Sequence, residues 1–183
     1  LIVGMEQIAY LDLATWKLHV LQDVVLPDTQ DKTVFWIKEM KDGTIMTAYE
    51  NGWIVLYQNG KTTSIDILYR LSVLQNNSIS PQVGTEWQGQ YCIATSAGSL
   101  LLIDPANNNA ITNKSLSGVQ QAIVNAVPFK DQLLIDVFRQ GTFLVDKDFT
   151  VHPFEVKGVN YQPNEKHLFI EADNHYFYAD NNS

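Results

Sequence analysis

A polar stop recurs along this chain at long, nearly regular intervals. "LIVGMEQIAYLD" ends on Asp12, "TIMTAYENGWIVLYQ" on Gln58, "YCIATSAGSLLLID" on Asp104, "LLIDVFRQGTFLVD" on Asp146 and "HLFIEADNHYFYAD" on Asp180. The steps between stops are 46, 46, 42 and 34 residues. Each copy consists of an apolar run, a tight turn and a second run rich in aromatic and aliphatic residues. The turns usually carry Gly52, Gly98, Gly141 or Asn174, residue types that tolerate the positive φ of hairpin turns. One such unit is too small to enclose a core, so the copies must bury their apolar faces against one another.

Most copies continue into a further turn and strand: "DLATWKLHVL", "YQNGKTTSIDI", "IDPANNNAITN" and "VDKDFTVHPFEV". Another short run precedes each inner hairpin: "VFWIKEMKDG", "PQVGTEWQGQ", "AIVNAVPFKDQ" and "VNYQPNEKH". Each period therefore holds about four short strands. The segment nearest to helical spacing, "SGVQQAIVNAV", contains Val, Ile and Asn, which are mediocre helix formers. Four antiparallel strands repeated at this period predict an all-β chain with the architecture of a β-propeller. The expected division is a partial blade over 1–26, blades over about 27–71, 72–116 and 117–157, and a partial blade over 158–183. Both terminal pieces carry the same middle strands, so they duplicate each other and do not complete a shared blade. The expectation is an arc of about four blades from a larger propeller; a closed ring of four or five blades is the alternative.

Composition narrows the partners. With 183 residues, 45% of them hydrophobic, the chain can bury a sizeable core. Its 20 acids against 12 bases leave a formal charge of −8, which disfavours an extended phosphate-binding surface and hence nucleic acid. Cys92 is the only cysteine, so no internal disulfide or cysteine zinc cluster can form, and its place in a strand marks it as a small core residue. No apolar run approaches the roughly 20 residues that span a bilayer. The chain opens without methionine, already in strand-like text, so its start is expected to be a processed or imposed boundary.

In "GQYCIATSAGSLLLID", residues Tyr91, Cys92, Ile93, Ala94, Thr95, Gly98, Leu100 and Asp104 occupy the frame of a known repeat. It resembles the blade of the two-component regulator propellers: a run of the form Gly-x-Leu-Trp-Ile-Gly-Thr, a turn, Gly-Leu and a Tyr-Asp-like ending. The copy from Gly43 to Tyr57 keeps the glycine, the apolar run, Gly52 and the terminal tyrosine, with Met46 where that family prefers tryptophan. "LQNNSIS", from Leu74 to Ser80, is similar to the segment that precedes such blades. The resemblance implies a periplasmic sensor region of a hybrid two-component system, as found in gut Bacteroidetes, that detects oligosaccharides without performing chemistry. It also implies a membrane-anchored parent, further blades or domains, and signalling through the pairing of ectodomains in a homodimer. A second stretch, "AYLDLATWKL", is similar to the Asp-x-x-Thr-Gly-Lys turn of quinone-dependent dehydrogenase propellers, but Trp16 replaces the glycine and no other copy repeats it.

The residues offer little for catalysis. His19, His152, His167 and His175 form no metal-ligand pair, and there is no nucleophile elbow or phosphate-cradling glycine loop. Asp146 with Asp148 reads as a turn, and Asp23, Asp28 and Asp31 do not match a calcium loop. No cofactor, metal or catalytic residue is expected, although a hydrolase or lyase site assembled from distant residues is an alternative. An interaction propeller that binds protein and no small ligand is another. Binding is easier to motivate, because sugars stack on aromatic faces while amides, acids and guanidinium groups bond their hydroxyls. The inner hairpin turns and the loops between blades offer Glu50, Asn51 and Trp53, then Asn77, then Phe138, Arg139 and Gln140, then Asn174 as ligand-binding candidates. "DVFRQG" is the most suggestive turn: it reads as longer than its counterparts and sets an aromatic beside a guanidinium. Trp53, Trp36 and Trp87 serve equally well as blade packing.

Overall fold

The structure, a computed structural model, describes residues 2–3, 8–21, 33–49, 52–67, 80–155, 168–172 and 175–179. These residues form antiparallel sheets joined by turns, with a 3-10 turn at Pro105–Asn107. In three sheets of four strands the spatial order follows the chain order, as in a propeller blade. They contain β4 (Val34–Glu39), β5 (Ile45–Tyr49), β6 (Trp53–Gln58) and β7 (Lys61–Asp66); β8 (Pro81–Trp87), β9 (Gln90–Thr95), β10 (Ser99–Asp104) and β11 (Ala110–Ser115); and β12 (Ile123–Phe129), β13 (Gln132–Val137), β14 (Gly141–Val145) and β15 (Val151–Pro153). A three-stranded sheet precedes them, made of β1 (Ile2–Val3), β2 (Ile8–Asp12) and β3 (Lys17–Val20). A hairpin of β16 (Leu168–Ala172) and β17 (His175–Ala179) follows. The all-β propeller architecture read from the repeat is therefore present. The segment with rough helical spacing becomes a loop over 117–122 and then the first part of β12, the strand that Ile123 and its β-branched neighbour Val124 favour.

The strands form where apolar residues are dense, and their alternation decides what faces what. In β9 and β10 nearly every residue is buried, so both faces of that sheet are covered. Cys92, Ala94, Leu100 and Leu102 from one face of this blade join Leu133, Ile135, Val137 and Val145 of the next in one apolar core, capped by Trp87 and Leu116. Burying such side chains stabilises by about 1.5–3 kcal/mol each, and neighbouring blades supply the cover that a single sheet lacks. Cys92 is wholly buried, and its thiol is pushed up to about 12 by that burial.

Two of the recurring acids, Asp12 and Asp104, close turns, as does Asp148 in the turn after Asp146. Asp12 Oδ1 accepts the backbone N–H of Ala14 at 2.8 Å, Asp104 Oδ1 that of Ala106 at 3.0 Å, and Asp148 Oδ1 that of Thr150 at 3.1 Å. Such side-chain caps define where a strand ends. Contacts divide the chain into two compact units, Leu1–Pro81 and Gln82–Ser183.

Candidate functional site

The second unit brings three loops together at one end of its sheets. The β9–β10 turn, Ser96–Gly98, closes with the Gly98 N–H on the Thr95 carbonyl at 3.3 Å. The β13–β14 turn, Phe138–Gln140, closes likewise, from the Gln140 N–H to the Val137 carbonyl at 3.0 Å. Between them runs the connection from β11 to β12, residues 116–122, anchored by the buried side chains of Leu116 and Val119.

Gly98 and Gln140 hold that connection from opposite sides. At Gly98 (φ +71°) a Cβ would lie 2.9 Å from the Gln121 carbonyl oxygen and 3.0 Å from that of Val119. The missing side chain lets the loop backbone descend onto the turn. Gln140, at the matching position one blade later, grips the same loop. Its Oε1 accepts the N–H groups of Gln120 and Gln121 at 2.8 and 3.1 Å, and its Nε2 donates to the Gly118 carbonyl at 3.0 Å. The Phe138 N–H adds a bond to the Ala122 carbonyl at 2.9 Å.

With its neighbour so occupied, Arg139 projects into solvent. Its backbone takes the left-handed region at φ 60°, unusual for a side chain of this kind. Its guanidinium carbon lies 4.9 Å from the centroid of the half-buried Phe138 ring, a cation–π contact that restricts the arginine before any ligand arrives. A fixed fork of donors beside an aromatic edge suits a hydroxylated or anionic group. Gln120, Gln121 and Ser117 of the β11–β12 connection and Ala97 of the β9–β10 turn are exposed as well.

One group beneath this turn was not anticipated from the sequence. Asp136 is only 2% exposed and accepts from Thr142 Oγ1 at 3.2 Å; Asn125 is its cross-strand neighbour on the other side. In the preceding blade the matching pair is Ala94 and Leu100, both wholly apolar. A polar row thus replaces core residues just below the Phe138–Gln140 turn. The signal was an acid inside an apolar strand, but its burial depends on the register of three strands.

The other expectations fare unevenly. The Phe138–Gln140 turn is no longer than its counterparts in the other four-stranded sheets, since three residues separate β5 from β6, β9 from β10 and β13 from β14 alike, whereas two separate β16 from β17. The extra bulk of its side chains, and not chain length, sets it apart. Trp53 lies in β6 opposite Asp66 and is half-buried. Glu50, Asn51, Asn77, Asn174, His167 and the Asp23, Asp28 and Asp31 group lie outside the described residues. At the opposite end of the β12–β15 sheet, Asp146 Oδ2 pairs with His152 Nε2 at 2.8 Å, and Gln132 Nε2 donates to Asp146 Oδ1. These hydrogen bonds, that from Gln132 first, hold the Asp146 carboxyl below its ordinary pKa. Among the described residues no three His, Cys, Asp or Glu side chains gather as a metal site.

No protein-family model matches this sequence, and no curated protein matches it at the level of sequence. Solved structures do match in fold. A catalytically inactive variant of virginiamycin B lyase from Staphylococcus aureus, with quinupristin, is similar at a TM-score of 0.64 and 14% identity, over 84% of this chain and 50% of that one. The extracellular domain of a hybrid two-component system from B. thetaiotaomicron is similar at a TM-score of 0.61 and 18% identity, over 89% of this chain and 21% of that one. A second such domain from the same organism gives 0.59 and 19%, over 93% and 24%. The chain thus spans about half the length of the lyase and less than a quarter of each extracellular domain. At the level of the fold, the resemblance carried by Gly89–Asp104 has its counterpart in these extracellular domains of hybrid two-component systems.

Proposed function

We propose that this chain is the sensing part of an extracytoplasmic propeller in a two-component signalling protein, and that it recognises an oligosaccharide at the loop end of its blades. The observation that carries the reading is the Phe138–Gln140 turn. There an exposed guanidinium is held over an aromatic ring, while Gln140 ties the turn to the neighbouring loop. Such a surface offers fixed donors and an apolar edge without a nucleophile or base, which fits binding better than catalysis. The fold shared with extracellular domains of hybrid two-component systems supports the sensor role and the periplasmic location. Ligand contact would bias how two ectodomains pair, since a ligand shifts an equilibrium only through its different affinity for the two states.

Calorimetry with a panel of plant and host glycan fragments tests this reading. One fragment class should bind, and Arg139→Ala should weaken it about tenfold or more, the loss expected for one charge-assisted hydrogen bond of roughly 1.5–3 kcal/mol. The variant should melt at the temperature of the parent chain. Undiminished affinity in Arg139→Ala would remove this turn from the site, and silence across the panel together with capture of a protein partner would make the chain an interaction propeller.

A further inference from the structure

The turn between β2 and β3 repeats, with one residue inserted, the turn between β14 and β15. Asp12 and Asp146 end the equivalent strands. Trp16 follows the first in a left-handed backbone (φ 56°), its N–H on the Asp12 carbonyl at 2.7 Å; Phe149 follows the second (φ 68°), its N–H on the Asp146 carbonyl at 2.8 Å. The registers agree as well: Leu11 pairs with Leu18 and Ala9 with Val20, where Val145 pairs with Val151 and Phe143 with Pro153.

The two aromatics meet opposite surroundings. Phe149 stands edge-on to Trp87 of the preceding blade, ring centroids 5.6 Å apart at 88°, and Lys114 of that blade's outer strand lies 5.0 Å from its centroid. Phe143, Phe149 and Val151 pack on the core shared by those two blades, and Val145 is wholly buried in it. Trp16 is 75% exposed, with Leu18 at 55%, Val20 at 39% and Leu13 at 72%. Leu18 and Val20 share one face of β3, with Leu11 opposite Leu18, and an exposed apolar face of this kind marks a surface that something covers. Its internal counterpart shows what: a blade with an aromatic at the end of its first strand and a cation on its fourth.

We propose that the Leu11, Leu18 and Val20 face of the β1–β3 sheet, with Trp16 as its knob, docks a further blade of the same ring. The docking blade supplies an aromatic edge and a Lys or Arg for the Trp16 ring, as Trp87 and Lys114 do for Phe149. Trp is the better partner for such a cation, so the contact is expected to be at least as favourable as its counterpart. This inference does not depend on the ligand proposed above.

Acrylamide quenching tests it, with the Trp16 contribution isolated by subtracting the Trp16→Phe variant. In this 183-residue chain Trp16 should be freely quenched, and in the complete polypeptide of its reading frame its quenching should fall several-fold. Trp16→Ser should lower the melting temperature of the complete polypeptide and leave that of the 183-residue chain unchanged. Phe149→Ala, which opens the internal counterpart, should lower both. Equal quenching in the two proteins, or a neutral Trp16→Ser in the complete polypeptide, overturns the proposal. So does concentration-dependent self-association of the 183-residue chain that shields Trp16 and disappears in Trp16→Ser, since the occupant would then be a second copy.

Discussion

At Gly98 a hydrogen atom in place of a methyl group lets two blades share a loop. Gly98→Ala meets both a left-handed backbone, which costs about 1–2 kcal/mol for an L-residue, and carbonyl oxygens 2.9 and 3.0 Å from the new Cβ. Gly118 has the same sign of φ and open space around it, so Gly118→Ala incurs the backbone cost alone. Urea unfolding should place Gly98→Ala below Gly118→Ala by roughly a further 1–3 kcal/mol; equal midpoints would show that the loop moves aside freely. A second residue-scale expectation concerns Asp146. Its carboxyl is held below the ordinary value by Gln132 and then His152, so its contribution to stability is present above pH about 4, the unfolded value. It is lost as pH falls through the lower folded pKa. In Asp146→Asn the stability curve should therefore be flatter below pH about 4, as thermal melts across that range would reveal.

At the scale of elements, β9, β10 and β13 are the blade centres and bury almost their whole length. Ile135→Ala, in the core shared by two blades, should cost about 2–5 kcal/mol by leaving a cavity. Cys92 reports on the same core: with its thiol near 12 and no exposure, it should react with a thiol reagent only when the blades part. Labelling of Ile135→Ala should accelerate by the factor its lost stability implies, and an unchanged rate would mean that Cys92 is reached by a local opening. The strand pairs of the inner hairpins were legible because glycine turns and a polar stop frame them at Gln58, Asp104 and Asp146. Other features were hidden. The kinship of Trp16 and Phe149 is masked by one inserted residue, and the burial of Asp136 follows from cross-strand register. The purpose of Gln140 depends on a loop some 20 positions earlier in the chain.

For the molecule as a whole, the proposed function ties the class of glycan to charge. The net charge of −8 repels polyanions at a distance, and the candidate turn offers Arg139 as its exposed cation. Binding of a neutral oligosaccharide should hold its affinity over a roughly tenfold range of ionic strength, whereas a sulfated one should bind more tightly as salt screens the repulsion. Titrations of both classes at two salt concentrations would separate these cases, and steep weakening of an anionic glycan with salt would point to a basic surface instead. The division of labour within the Phe138–Gln140 turn has an evolutionary consequence. Within the turn it is the Gln140 side chain that grips the neighbouring loop, while the side chains of Phe138 and Arg139 lie against each other; under the proposed function a lineage could retune what is detected, one side chain at a time, without loosening the scaffold.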